Sequence, residues 1–224
     1  MILHVIGRFP RRHVRVALAV ALLLLSFPAA EAVDDSGPLF TYYVLSLSWQ
    51  PTLCLEQPQS DWCRGVQSKG FVLNGLWPHK DYASPLRCNV RGEVSDALVQ
   101  KMADLLPTRR LVEREWQEHG TCSGLDPDQY FAAVRQVHEG LVVPALLDQR
   151  SAPPQTVYDV IKAFRRANNT LAPQTISVTC SSGTPARLEE VRICLERNLA
   201  ARYCSGDMIS SGCRTLNISI PPLT

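Results

Sequence analysis

Glu115 and His119 stand four residues apart in the stretch Glu-Trp-Gln-Glu-His-Gly-Thr-Cys (115–122), with Glu118 beside them. On a helix that spacing puts both side chains on one face. A carboxylate and an imidazole held together suit general acid–base chemistry, where one group takes a proton and another returns it. The same spacing also describes a solvated helix pair that does no chemistry. Gly120 reads as the helix end, and Cys122 as a cross-link pinning that end to another part of the chain. Metal chemistry is not indicated. His-Glu-x-x-His is absent, no cysteines form Cys-x-x-Cys pairs, and no cofactor is expected.

These side chains need elements to hold them. Leu39 to Trp49 is aromatic and β-branched, with Val44, Ser46 and Ser48 alternating against Leu45, Leu47 and Trp49, which predicts a strand with one buried face. Pro51 stops it, and a loop carrying Cys54 and Cys63 follows. Phe71 to Leu76 predicts a second strand ending at Trp77-Pro78. Val94, Leu98, Met102 and Leu105 recur at near-helical spacing until Pro107, and the Glu115/His119 helix begins near Leu111. Asp126 caps a further helix with Pro127 at its first position, running through Tyr130, Phe131, Val134 and His138. Another helix covers Thr156 to Arg166. Thr175 to Cys180, Arg187 to Leu195 and Arg214 to Ile220 read as strands. This order argues for a single α+β domain around a central antiparallel sheet, with several helices.

Residues 1–32 read as a secretory signal peptide. Arg8, Arg11, Arg12 and Arg15 precede an apolar run from Val16 to Phe27, and Ala30-Glu31-Ala32 offers a cleavage site. The run is too short to span a bilayer comfortably. Residues 33–224 then form the domain, without a membrane segment, in an extracytoplasmic compartment: secreted, periplasmic, vacuolar or lysosomal. Four of the 23 basic residues and one of the 21 acidic ones lie in the leader, so the remainder carries a formal charge of about −1. Without a global basic field, a polyanion must be held locally. All 8 cysteines follow the leader and read as disulfides, with connectivity left open by the spacing. Asn168-Asn169-Thr170 and Asn217-Ile218-Ser219 are glycosylation sequons, meaningful in a eukaryotic host.

Leu73-Asn74-Gly75-Leu76-Trp77-Pro78 resembles the first active-site motif of the ribonuclease T2 family, His-Gly-Leu-Trp-Pro, and 115–122 resembles its second, Glu-Trp-x-Lys-His-Gly-Thr-Cys. Tyr42 to Cys54 is similar to the family's opening strand, and Cys180 with Leu-Glu-Glu-Val-Arg-Ile-Cys (188–194) to its C-terminal pattern. The resemblance covers essentially the whole chain beyond the leader. It implies a secreted, metal-independent endoribonuclease of low base specificity, acting as a monomer on single-stranded RNA and not on DNA. Such an enzyme cleaves by transphosphorylation to a 2′,3′-cyclic phosphate, with the ribose 2′-OH as nucleophile. By motif position His119 is the general base and Glu115 orients or polarises around the scissile phosphate. Trp77 either stacks on a base, a contact worth ~1–3 kcal/mol, or packs in the core. His79, Arg114 and Trp116 fall among the substrate-binding positions. For the disulfides, the family's link from loop to active-site helix implies Cys88–Cys122. Proximity and weaker analogy imply Cys54–Cys63, Cys180–Cys213 and Cys194–Cys204.

Two positions depart from the pattern. Asn74 stands where the family carries its other catalytic histidine, and an amide can donate a hydrogen bond but cannot deliver a proton. Glu118 replaces a lysine, exchanging a stabilising cation for an anion. Arg114 either pairs with Glu118 across one helical turn or supplies the missing positive charge to the phosphate. Among the remaining histidines, His79 is the foremost substitute acid, and His138 reads as a solvent-exposed residue favoured in its protonated form near a helix end. Lys80 is an outside candidate. Reduced activity is therefore expected. The alternative is an inactive scaffold that binds RNA or a protein.

Overall fold

The computed structural model describes residues 40–64, 70–81, 84–88, 92–144 and 155–223. The expected signal peptide and Leu39 lie outside these residues. Fourteen segments follow in order: β1 (Tyr42–Trp49), α1 (Gln50–Glu56), β2 (Phe71–His79), α2 (Asp96–Met102), α3 (Arg109–Glu118), a 3-10 turn (Gly120–Cys122), α4 (Pro127–Glu139), β3 (Gln155–Thr156), α5 (Val157–Ala167), a second 3-10 turn (Pro173–Thr175), β4 (Ile176–Cys180), β5 (Leu188–Leu195), α6 (Gly206–Ser210) and β6 (Asn217–Ile218). The fold is α+β, built on a four-stranded antiparallel sheet ordered β2-β1-β5-β4.

β1 is the central strand in use if not in number, and every one of its residues is buried. This corrects the expectation of one buried face. Tyr43, Leu45, Leu47 and Trp49 enter the main core with Leu73 and Leu76 of β2 and Val191 and Ile193 of β5. Tyr130, Phe131 and Val134 of α4 and Val160 and Phe164 of α5 close the same core. The other face carries Val44, Ser46 and Ser48. Its register places them beside Trp77 on β2 and Arg192 and Glu190 on β5, so this face is polar.

Two bulges break the ladders. Ser46 pairs with Gly75 and Leu47 with Leu73, which leaves Asn74 as an extra residue on β2. Thr179 pairs with Glu190 and Cys180 with Leu188, which leaves Glu189 extra on β5. A bulged residue escapes the strict alternation of a strand and can be re-aimed.

Helix starts follow their side-chain caps. Ser95 and Thr108 accept from the third residue beyond them at the starts of α2 and α3. Asp126 and Thr156 complete capping boxes with Gln129 and Asp159. Three expectations fail on local chemistry. Pro51 sits in the first turn of α1, where its missing N–H costs nothing, so the expected loop begins as a helix. β2 runs on through Trp77-Pro78 to His79. The expected last strand shrinks to Asn217–Ile218, paired only with β3.

The disulfides join Cys54 to Cys63, Cys88 to Cys122, Cys180 to Cys213 and Cys194 to Cys204. Of the two sequons, Asn217 is exposed. Asn168 is buried as the cap of α5, its amide bonded to Val142 and to the Phe164 carbonyl. Among the described residues no helix is long and apolar enough to cross a membrane.

Candidate active site

A cleft of about 240 Å³ opens on the polar face of the sheet. Asn74 and Trp77 reach it from β2, and Arg114, Glu115, Glu118 and His119 reach it from α3 and the residue that ends it. Glu56, Glu189 and Glu190 are among the residues lining the rest of the wall, so both bulged residues face this space.

Glu115 is the buried centre of the site. Its Oε1 accepts from the Leu76 backbone N–H at 2.9 Å and from the Tyr130 hydroxyl at 2.6 Å. Burial pushes its carboxyl up to about 7, against the lowering pull of those two hydrogen bonds. Gly75 explains how the group fits: a Cβ there would collide with both Glu115 carboxyl oxygens and with Trp77 Nε1. The glycine is therefore required by close approach.

His119 lies just outside α3. Its φ of −125° ends the helix, while its N–H still donates to the Glu115 carbonyl. Gly120 does not end the helix as expected. It opens a buried 3-10 turn, and a Cβ on it would strike the rings of Trp116 and Tyr130. The His119 imidazole stacks on Trp77, with centroids 5.2 Å apart and planes 26° apart. Burial pushes it down to about 4; Glu118 pulls upward and Arg114 pushes further down. Its Nδ1 is buried without a protein partner, as is Trp77 Nε1. A neutral imidazole at ordinary pH is a competent base, and a carboxyl titrating near 7 is a competent acid.

Asn74 is held, not free. Its Nδ2 donates to Glu190 Oε1 at 2.9 Å, and Glu190 Oε2 accepts from Arg192 Nε at 2.7 Å. The Arg192 guanidinium also lies 5.6 Å from the Trp77 ring centre. Glu190 and Arg192 thus brace Asn74 and Trp77 together. The motif resemblance of 188–194 singles out neither residue; strand alternation, which puts 190 and 192 on the face of Ser46 and Ser48, is the signal that could find them.

Several assigned roles change. Glu118 pairs with Arg87 at 3.2 Å and not with Arg114. Arg87 also donates its backbone N–H to the Glu118 carbonyl, beside the Cys88–Cys122 link, so a tertiary partner displaces the helical neighbour. Arg114 is left exposed, the one arginine or lysine among the described residues lining the cleft. Trp116, expected to touch substrate, is 2% exposed, and its indole N–H donates to the carbonyl of the exposed Gly92, away from the cleft. His79 does not line the cleft. It is buried against Tyr42, with Nδ1 at the Lys80 carbonyl and Nε2 3.6 Å from Asp207. His138 is half-buried, and burial lowers its pKa, contrary to the expected exposed cation. Trp77 stacks on His119 and lies beside the Arg192 guanidinium.

Fold and site together define a disulfide-linked α+β protein with an acid–base cleft on one sheet face. The chain belongs to the ribonuclease T2 family, whose model matches residues 40–204. A ribonuclease of Aeromonas hydrophila is 37% identical over 131 residues, covering 56% of this chain and 59% of that one. A probable ribonuclease of Haemophilus influenzae is 28% identical over 119 residues, covering 46% and 44%. The chain thus spans about half the length of these two relatives. Japanese pear S3-RNase shares the fold with a TM-score of 0.64 at 17% identity, covering 81% of this chain and 99% of that one. RNase NT, solved with 5′-AMP, shares it with a TM-score of 0.60 at 20% identity, covering 82% and 99%.

Proposed function

We propose that this protein is a secreted endoribonuclease that cleaves single-stranded RNA by transphosphorylation, with low base specificity and reduced rate. The observation that carries the reading is that His119 and Glu115 line one cleft, their titrations driven apart by burial to about 4 and about 7. His119 takes the proton of the ribose 2′-OH. Trp77 and His119 both line this cleft, stacked on one another at 5.2 Å. Arg114 supplies the positive charge that Glu118, tied to Arg87, does not. Membership in the ribonuclease T2 family supports the substrate class. The protein works as an extracytoplasmic monomer without metal.

RNA's own hydroxyl is the nucleophile in this scheme, so DNA is inert. The test is to incubate the oxidised chain with an oligoribonucleotide and with its 2′-O-methyl counterpart, following products by phosphorus NMR. A transient 2′,3′-cyclic phosphate from the first substrate alone is expected. Cleavage of the methylated strand would overturn the mechanism.

A further inference from the structure

We infer that Glu115, and not residue 74, is the general acid of this site: it hands its proton to the departing 5′-oxygen. The inference rests on the ribonuclease reading above and assigns the one role that reading leaves vacant. An amide has no proton to deliver, and Asn74 spends its Nδ2 on Glu190. His79 stands outside the cleft, with both ring nitrogens facing other partners. Glu118 is tied to Arg87, and Glu190 has one oxygen on Asn74 and the other on Arg192.

The geometry around Glu115 suits a donor. Both of its hydrogen bonds converge on Oε1, leaving Oε2 for a proton and for substrate. The Tyr130 hydroxyl also lies 2.7 Å from the Leu76 carbonyl, so its single proton has two acceptors, and Tyr130 remains satisfied whichever state Glu115 adopts. The Glu115 carboxyl and Trp77 Nε1 gather at the point where Gly75 lacks a Cβ, while His119 stacks on the same indole. Acid and base therefore share one aromatic support. Burial also keeps the carboxyl protonated up to about neutral pH; the charges bearing on it are Arg114 and Glu118 on its own helix, with Tyr130 of α4 and the Leu76 N–H of β2 as its hydrogen-bond donors.

The step balances without a further reagent. His119 takes the 2′-OH proton, the 2′-oxygen bonds to phosphorus, the bond from phosphorus to O5′ breaks, and the Glu115 proton goes to O5′. When water opens the cyclic ester, Glu115 accepts water's proton and His119 returns its own to the 2′-oxygen.

Leaving-group chemistry tests the assignment. A diribonucleotide needs a protonated leaving oxygen, whereas a ribonucleoside 3′-(4-nitrophenyl phosphate) expels a stable phenolate that needs none. Glu115→Gln keeps the shape and the neutral charge. It is expected to lose ~10²–10⁴-fold on the diribonucleotide and under about tenfold on the aryl ester. Equal losses on both substrates would overturn the acid role in favour of a purely electrostatic one. Glu189→Gln serves as the comparison, because Glu189 also lines the cleft with its carboxyl pushed up by burial; a leaving-group-dependent loss there and not at Glu115 would move the acid to β5. A parent that cleaves the aryl ester alone has no working acid, which contradicts this assignment but leaves His119 as base. A parent that cleaves neither contradicts the ribonuclease reading itself.

Discussion

Asn74 shows how far single residues can be read from the chain. Its departure from the motif is legible, because the flanking Gly-Leu-Trp-Pro fixes the comparison. Its partner is not, since Glu190 lies 116 residues away and reaches it only across β1. A carboxylate at that spot suits a protonated imidazole better than an amide. Asn74→His is therefore expected to raise kcat/KM on a diribonucleotide by about tenfold or more, and the gain should vanish in Asn74→His combined with Glu190→Gln. A gain that survives the second change would show that Glu190 does not position residue 74. Arg114 and Glu118 teach the complementary lesson. Helical spacing allowed their pairing, yet Arg87, brought in by the Cys88–Cys122 link, took the carboxylate.

At the scale of elements, start signals were legible and irregularities were not. The cap at Asp126 and the helix from Thr156 needed only local side-chain chemistry. The bulges at Asn74 and Glu189 arise from register between strands far apart in sequence, and no local pattern announces them. The end of α3 is the sharpest case. Gly120 looked like a cap, but its missing Cβ makes room for Trp116 and Tyr130, which together set the helix end that carries His119. Gly120→Ala should cost ~1–3 kcal/mol by overpacking and lower Tm by several degrees. Unchanged thermal unfolding, measured by circular dichroism, would show that the rings can move aside. The same measurement on Trp116→Phe checks that Trp116 is core and not a substrate contact: stability should fall while KM holds.

For the molecule as a whole, composition gave the right warning. Residues 33–224 lack a basic excess, and the cleft itself places Glu56, Glu115, Glu118, Glu189 and Glu190 around one arginine. Glu118 and Glu190 are already paired with Arg87 and Arg192, so the cleft offers a polyanion little net attraction for added salt to screen. A basic nuclease loses affinity steeply with salt through counterion release. Here kcat/KM between roughly 20 and 200 mM salt should hold or rise, as a fluorogenic oligoribonucleotide would report. A steep fall would mean that arginines outside the cleft dominate binding. The four disulfides and the buried β1 supply the rigidity on which this crowded, anionic site is built.

The pH–rate profile of RNA cleavage by the parent, with His119→Ala alongside, tests the acid–base centre most directly. His119 must be neutral to act as base, so the rate should rise as pH climbs through about 4. Glu115 must be protonated to act as acid, so the rate should fall as pH climbs through about 7. A bell between those limbs, abolished in His119→Ala, is the expected result. A parent rate that His119→Ala leaves intact, at any pH, would contradict the assignment of this cleft as the catalytic site.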